Sequence, residues 1–149
     1  MSLFTALEIA SSGMSVQRTR MNVSSMNMAN KNTTRSADGG PYRRRDVIVA
    51  AAPIDSGDFS SRIRNNISRH DEGFMGVKVQ EVRTSDDAFQ LHYDPGHPDA
   101  NADGYVEYPN VDGIAEMMNI MGAARAYEAE ATVMRTIKHM AEKAIKVGR

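Results

Sequence analysis

The densest run of oxygen-bearing side chains is Asp99-Ala100-Asn101-Ala102-Asp103-Gly104. Carboxylate and amide oxygens at alternate positions, closed by a glycine that permits a sharp turn, are how a calcium loop begins. Such a loop ends on a bidentate carboxylate at its twelfth position, which here is Asn110. The flanks also disagree with one, since Pro98 precedes the run and strand-like Tyr105-Val106-Glu107-Tyr108 follows it. Asn and Asp in turns bond their own backbone, so a structural turn is expected. A calcium-dependent binding or adhesion module over 99–110 is the alternative.

The other chemistry-bearing residues make weaker patterns. His92 and His97 stand near Asp94 and Asp99, but no third and fourth ligand follow at a recognisable spacing. Glu116, Glu128, Glu130 and Glu142 share a helical stretch without the Glu-x-x-His spacing of a di-iron bundle. His139 stands alone in that stretch, as a surface residue does. Arg43-Arg44-Arg45 is a short basic run followed at once by Asp46. It reads as a solvated loop or an inter-subunit salt-bridge site rather than a nucleic-acid face, which is wider. No phosphate loop, dinucleotide fingerprint or nucleophile elbow occurs. Cysteine is absent, which removes disulfides, thiolate nucleophiles and Cys-ligated zinc. No catalytic residue, metal site or cofactor is therefore expected.

The elements that carry these residues are easier to read. From residue 2 to about 30 there is no Pro and one Gly, Gly13. Leu7, Met14, Met21 and Met28 recur every seven residues, with Leu3, Ala10 and Gln17 four before three of them. This is a heptad seam with one polar member. A second, weaker row, Ile9, Val16 and Val23, lies well round the same helix. Two apolar rows imply two packing partners. A polar loop follows, broken at Asp38-Gly39-Gly40-Pro41. Val47 to Ala52 reads as a strand stopped by Pro53, and 54–73 as a polar stretch with either a short helix (Phe59, Ile63, Ile67) or a loop. Alternation over Val77–Gln80 and Phe89–Tyr93 predicts half-buried strands, and Tyr105–Tyr108 a fourth.

From about Val111 to Val147 there is again no Pro. Ile120, Ala124, Tyr127, Ala131, Met134, Ile137, Ala141 and Ala144 step by three or four, giving a narrow stripe that permits close helix approach. Ile114, Met117, Met118 and Met121 widen the apolar surface near its start. The expected fold class is α+β: long N- and C-terminal helices paired as an antiparallel coiled coil around a small antiparallel β insert. The division is 1–32, 33–110 and 111–149. The expected seam sets Leu3, Leu7, Met14, Met21 and Met28 against Ile120, Ala124, Tyr127, Ala131 and Met134. Each helix carries more apolar surface than one partner covers, so neighbouring subunits are implied. The formal net charge of −1 over 149 residues points to neither nucleic acid nor an anionic membrane. No window is apolar enough for a membrane span, and the N-terminus lacks a signal-peptide pattern.

This plan resembles the axial proteins of the bacterial flagellum. Asn27-Met28-Ala29-Asn30-Lys31-Asn32-Thr33 looks like the N-x-A-N-x-x-T signature that ends the first helix of rod and hook proteins, with Asn27, Ala29, Asn30 and Thr33 as its matched positions. Ser12-Gly13-Met14 with Gln17–Met21, Asn32–Arg35 with Asp38–Arg44, Tyr93–Ala100 with Asp103–Val106 and Tyr108–Val111, and Arg125–Ala129 are similar to the proximal-rod family. The resemblance spans nearly the whole chain. It implies a structural subunit of the proximal rod in the basal body, part of a drive shaft that transmits torque and surrounds an export channel. It also implies location in the periplasmic space and type III export without a cleaved signal peptide. The implied partners are copies of itself, neighbouring proximal rod subunits, the rod-base adaptor, the distal rod and the export apparatus, with no nucleic acid and no direct membrane insertion.

Overall fold

The computed structural model describes residues 3–37, 39–54 and 75–148. Helix α1 runs Leu3–Ala29, as the absence of Pro allows. It stops where Asn30 turns back on it. The Asn30 backbone N–H and its Nδ2 both donate to the Met26 carbonyl, at 3.1 and 2.9 Å. Asn30 Oδ1 then accepts from Thr33 Oγ1 at 3.2 Å. One side chain thus gives the Met26 carbonyl a second donor at the helix end and sets the exit direction of the loop.

Strand β1 (Arg45–Pro53) pairs antiparallel with β2 (Met75–Thr84), from Arg45 opposite Thr84 to Pro53 opposite Met75. The register shifts between Ile48 and Val49, a bulge that twists the ribbon. This ribbon lies on α1: Val77 N–H donates to Ser12 Oγ at 3.2 Å. Gly76 is buried against the Ser12 side chain, so a side chain there would meet that oxygen at 2.9 Å. Strand β3 (Gln90–Tyr93) pairs antiparallel with β4 (Tyr105–Tyr108) in a separate ribbon. Tyr93 and Tyr105 meet edge to face at 5.3 Å across it.

Helix α2 runs Gly113–Val147. The Asp112 carboxylate caps it by accepting from Ile114 N–H at 2.9 Å. Pairing is antiparallel: Gly13 lies beside Glu130, and Lys31 beside Gly113. The expected α+β architecture is the one observed. Its β part departs from expectation in two respects. The four strands form two ribbons rather than one unit. Leu91 and Tyr93 are 62% and 65% exposed, not half-buried, because nothing among the described residues layers over β3. The helix-or-loop expectation for 54–73 falls, apart from Ile54, outside the described residues. No helix of the described residues is long and apolar enough to cross a membrane.

Candidate functional site

Among the described residues, no group of His, Asp and Glu is placed to hold a metal ion. The built chemistry is that of packing, concentrated where α1 ends and α2 begins. Asn27 is 1% exposed. Its Nδ2 donates to the Arg45 carbonyl at 2.8 Å, and its Oδ1 accepts the Arg45 N–H at 3.0 Å. The side-chain amide therefore pairs with β1 as a neighbouring strand residue would. Tyr42 OH donates to the same oxygen at 2.9 Å. Burial pushes the Tyr42 pKa up; Arg45 opposes this and Glu116 adds to it. The phenol thus keeps its proton to donate.

One residue along, Arg44 reaches α2. Its Nε donates to Glu116 Oε1 at 2.7 Å and its Nη1 to Asp46 Oδ1 at 2.6 Å. Glu116 is 1% exposed. Burial alone would lower the Arg44 pKa, but the hydrogen bonds and charges of Glu116 and Asp46 outweigh it and the pKa is raised. One guanidinium therefore ties the loop, the first strand and the second helix together. The expected reading of 43–45 as solvated or inter-subunit is corrected at Arg44, which is an internal tie; Arg43 and Arg45 are exposed. Arg43 lies over the Phe89 ring at 4.6 Å.

Along the helix pair, α1 buries Ala10, Gly13, Val16, Val23, Ser24 and Asn27. Helix α2 buries Glu116, Ala123 and Ile137. Gly13 lets the helices approach closely here: a Cβ would stand 2.6 Å from Glu130 Oε1, so the Glu130 carboxylate would have to shift. Glu130 Oε2 is shielded and has no hydrogen-bond partner. Burial raises the Glu130 pKa, and a hydrogen bond from Gln17 partly offsets that.

The structure places the expected seam residues as follows. Leu7, Met14, Met21 and Met28 are half-buried, and Leu3 is exposed. Ile120, Ala124, Tyr127, Ala131 and Met134 are also half-buried. The fully buried line on α1 instead includes Val16 and Val23 of the weaker row. The strict heptad row flanks this line. Of the motif positions, Asn27, Asn30 and Thr33 act in one hydrogen-bonded corner, while Ala29 is exposed. Sequence reasoning missed the Arg44–Glu116 pair. No local signal marks it, because its members lie 72 residues apart.

In the 99–110 loop the side-chain oxygens of Asn101 and Asp99 are engaged within the chain. Asn101 Oδ1 accepts from the N–H groups of Asp103 and Tyr105 at 3.0 and 2.9 Å. Asp99 Oδ2 accepts from Thr34 Oγ1 at 2.8 Å. Gly104 takes a φ of 81° against the Tyr93 ring, a conformation and a fit that only glycine offers. His92 and His97 pack edge-on to Tyr108, and His139 is exposed.

Large apolar side chains remain outside after the helices pair. Phe4, Ile114, Met117, Met118, Met121, Val133, Met140, Ile145 and Val147 are each at least half exposed. A monomer seldom carries so much without a partner to cover it.

Residues 102–147 match the family model described as flagellar basal body rod FlgEFG protein C-terminal. The flagellar basal-body rod protein FlgC of Bacillus subtilis is 39% identical, over 100% of both chains. That of Borreliella burgdorferi is 39% identical, over 99% of this chain and 98% of its own. That of Salmonella typhimurium is 37% identical, over 99% of each.

Proposed function

The chain belongs to the FlgC family of flagellar basal-body rod proteins, and from that premise we propose that it is a structural, non-catalytic subunit of the proximal rod. In this reading it forms part of the drive shaft in the periplasmic space, surrounds the export channel and passes torque outward. Its partners are copies of itself and neighbouring rod proteins, including the rod-base adaptor and the distal rod. The flagellar type III apparatus exports it.

The observation that supports this most is the excess of apolar helix surface. A helix pair whose buried line is only a few small residues wide, with methionines left on its flanks, is unfinished as a monomer and suited to a tube. Methionine is flexible enough to pack against neighbours that are not strictly equivalent. The heptad row Leu3, Leu7, Met14, Met21 and Met28, with Ile120, Ala124, Tyr127, Ala131 and Met134, is assigned to contacts between subunits as well as to the rim of the intrachain seam.

Met21→Asp tests the assignment. Met21 lies outside the buried line, so the purified variant keeps its helix content while rods fail to assemble and cells stop swimming. Normal swimming by that variant overturns the assignment.

A further inference from the structure

The geometry points to a head-to-tail contact between two copies of this chain, in which the apolar ridge at the start of α2 in one copy seats in the groove that α1, β2 and α2 form in the next. This rests on the rod-subunit reading and adds which surfaces meet.

The ridge is Ile114, Met117, Met118 and Met121, each 50–75% exposed. At about 100° per residue these project from the side of α2 opposite the buried Glu116 and Ala123. The same side turns polar immediately afterwards, with Arg125, Glu128 and Thr132. The ridge is therefore a bounded patch about 10 Å long rather than a continuous stripe.

The groove lies toward the other end of the helix pair. It measures about 450 Å³ and is lined by Ala6, Ile9, Gly13, Val77, Val133 and Ile137. Apart from Glu130, its side chains are apolar. The hollow between α1, β1 and α2, which Met118 at the edge of the ridge borders, has a different character, with Gln17, Arg20, Arg44 and Asp46 on its walls.

Charge fits as well as shape. Glu130 on the groove lies in no ion pair among the described residues, and its Oε2 has no hydrogen-bond partner. Arg125, one turn beyond Met121 on the ridge side, likewise lies in no ion pair among them. Seating the ridge brings a guanidinium to a carboxylate that lacks a cation. Ridge and groove are different surfaces, roughly 24 Å apart along α2. A single ridge-in-groove contact leaves a groove free on one copy and a ridge free on the other, so it can repeat from copy to copy.

The chain has no cysteine, so introduced pairs report contacts without background. Basal bodies are purified from cells producing the Met121→Cys, Val77→Cys double variant and oxidised. The expected result is a ladder of disulfide-linked chains. Each single variant, and the Thr132→Cys, Val77→Cys control, gives none. Three results overturn the contact: a dimer from Met121→Cys alone, no ladder with the chain present, or capture of a rod protein of different sequence by a benzophenone attached to the thiol of Met121→Cys. Absence of the chain from basal bodies made by the unmodified strain overturns the rod-subunit reading itself. Charge exchange is the second test. Arg125→Glu and Glu130→Arg each reduce swim-ring diameter about twofold, and the double exchange restores it. Failure of the double variant to recover overturns the contact even if the cysteine variants assemble poorly.

Discussion

The two ends of the helix pair are built on opposite principles. Where α1 stops and α2 starts, Asn27, Tyr42, Arg44 and Glu116 form a closed polar network inside one chain. At the other end, Phe4 is 76% exposed, Ile145 68% and Val147 87%. Hydrogen bonds are directional, and a buried partner left alone is expensive, so the polar end specifies one angle between helices, loop and ribbon without help. Apolar surface is non-directional and tolerates water until something covers it. The chain thus settles its internal geometry with the polar network at one end, and leaves free energy to be gained on assembly at the other end and on the outward side of α2, where Ile114, Met117 and Met121 stay exposed.

The strongest way to break this contrast is Arg44→Ala. It leaves Glu116, 1% exposed, as a buried charge without its cation. Removing one member of such a pair costs about 3–5 kcal/mol. Because the Arg44 side chain is 27% exposed, the lower figure, about 3 kcal/mol, is expected. Denaturant unfolding of the purified chain measures it. A loss under about 1 kcal/mol would show that the network does not hold the junction.

This pair also marks the boundary of what sequence could show. Both helices, the four strands and the turn at 94–104 are written in local patterns of Pro, Gly and apolar spacing. Asn27 stood out through the motif, without a reason attached. Which row of α1 faces α2 was not legible, because helix pairing here is decided by small residues. Gly13, Ser24 and Ala10 allow close approach and contribute little hydropathy, while the conspicuous methionines lie beside the seam. The split into two ribbons depends on pairings between segments, such as β1 with β2 around residues 55–74, that alternation within one strand does not encode.

Asn27→Ala is the next largest effect. It removes the amide that pairs with Arg45 and the acceptor of Tyr42 OH. The Arg45 carbonyl and N–H are left in a part-buried corner, a loss of about 2 kcal/mol. Asn27→Asp keeps the acceptor for Tyr42 and Arg45 N–H but sets a carboxylate against the Arg45 carbonyl. It should fall between Ala and the parent in the same unfolding measurement. Equal stability of all three would mean that the motif serves only contacts between chains.

The smallest effect sharpens the contrast at the open end. Burial raises the Glu130 pKa in the folded chain, with Gln17 partly opposing. The unfolded chain therefore releases this proton at lower pH than the folded one. Between the ordinary glutamate range and the raised folded value, the folded state holds more protons, so stability falls as pH rises through that window. Glu130→Gln keeps the shape and removes the titration. The variant should lack this part of the slope and, near neutral pH, be more stable than the parent by less than about 1 kcal/mol, the partial exposure of the side chain limiting the gain. Thermal unfolding of both proteins from pH 4 to 7 compares the slopes, and parallel curves would refute the assignment. In the rod the sign reverses if Arg125 of a neighbour reaches Glu130. There Glu130→Gln would weaken assembly while stabilising the isolated chain, and this opposition between the two readouts separates a carboxylate held for a neighbour from one merely buried.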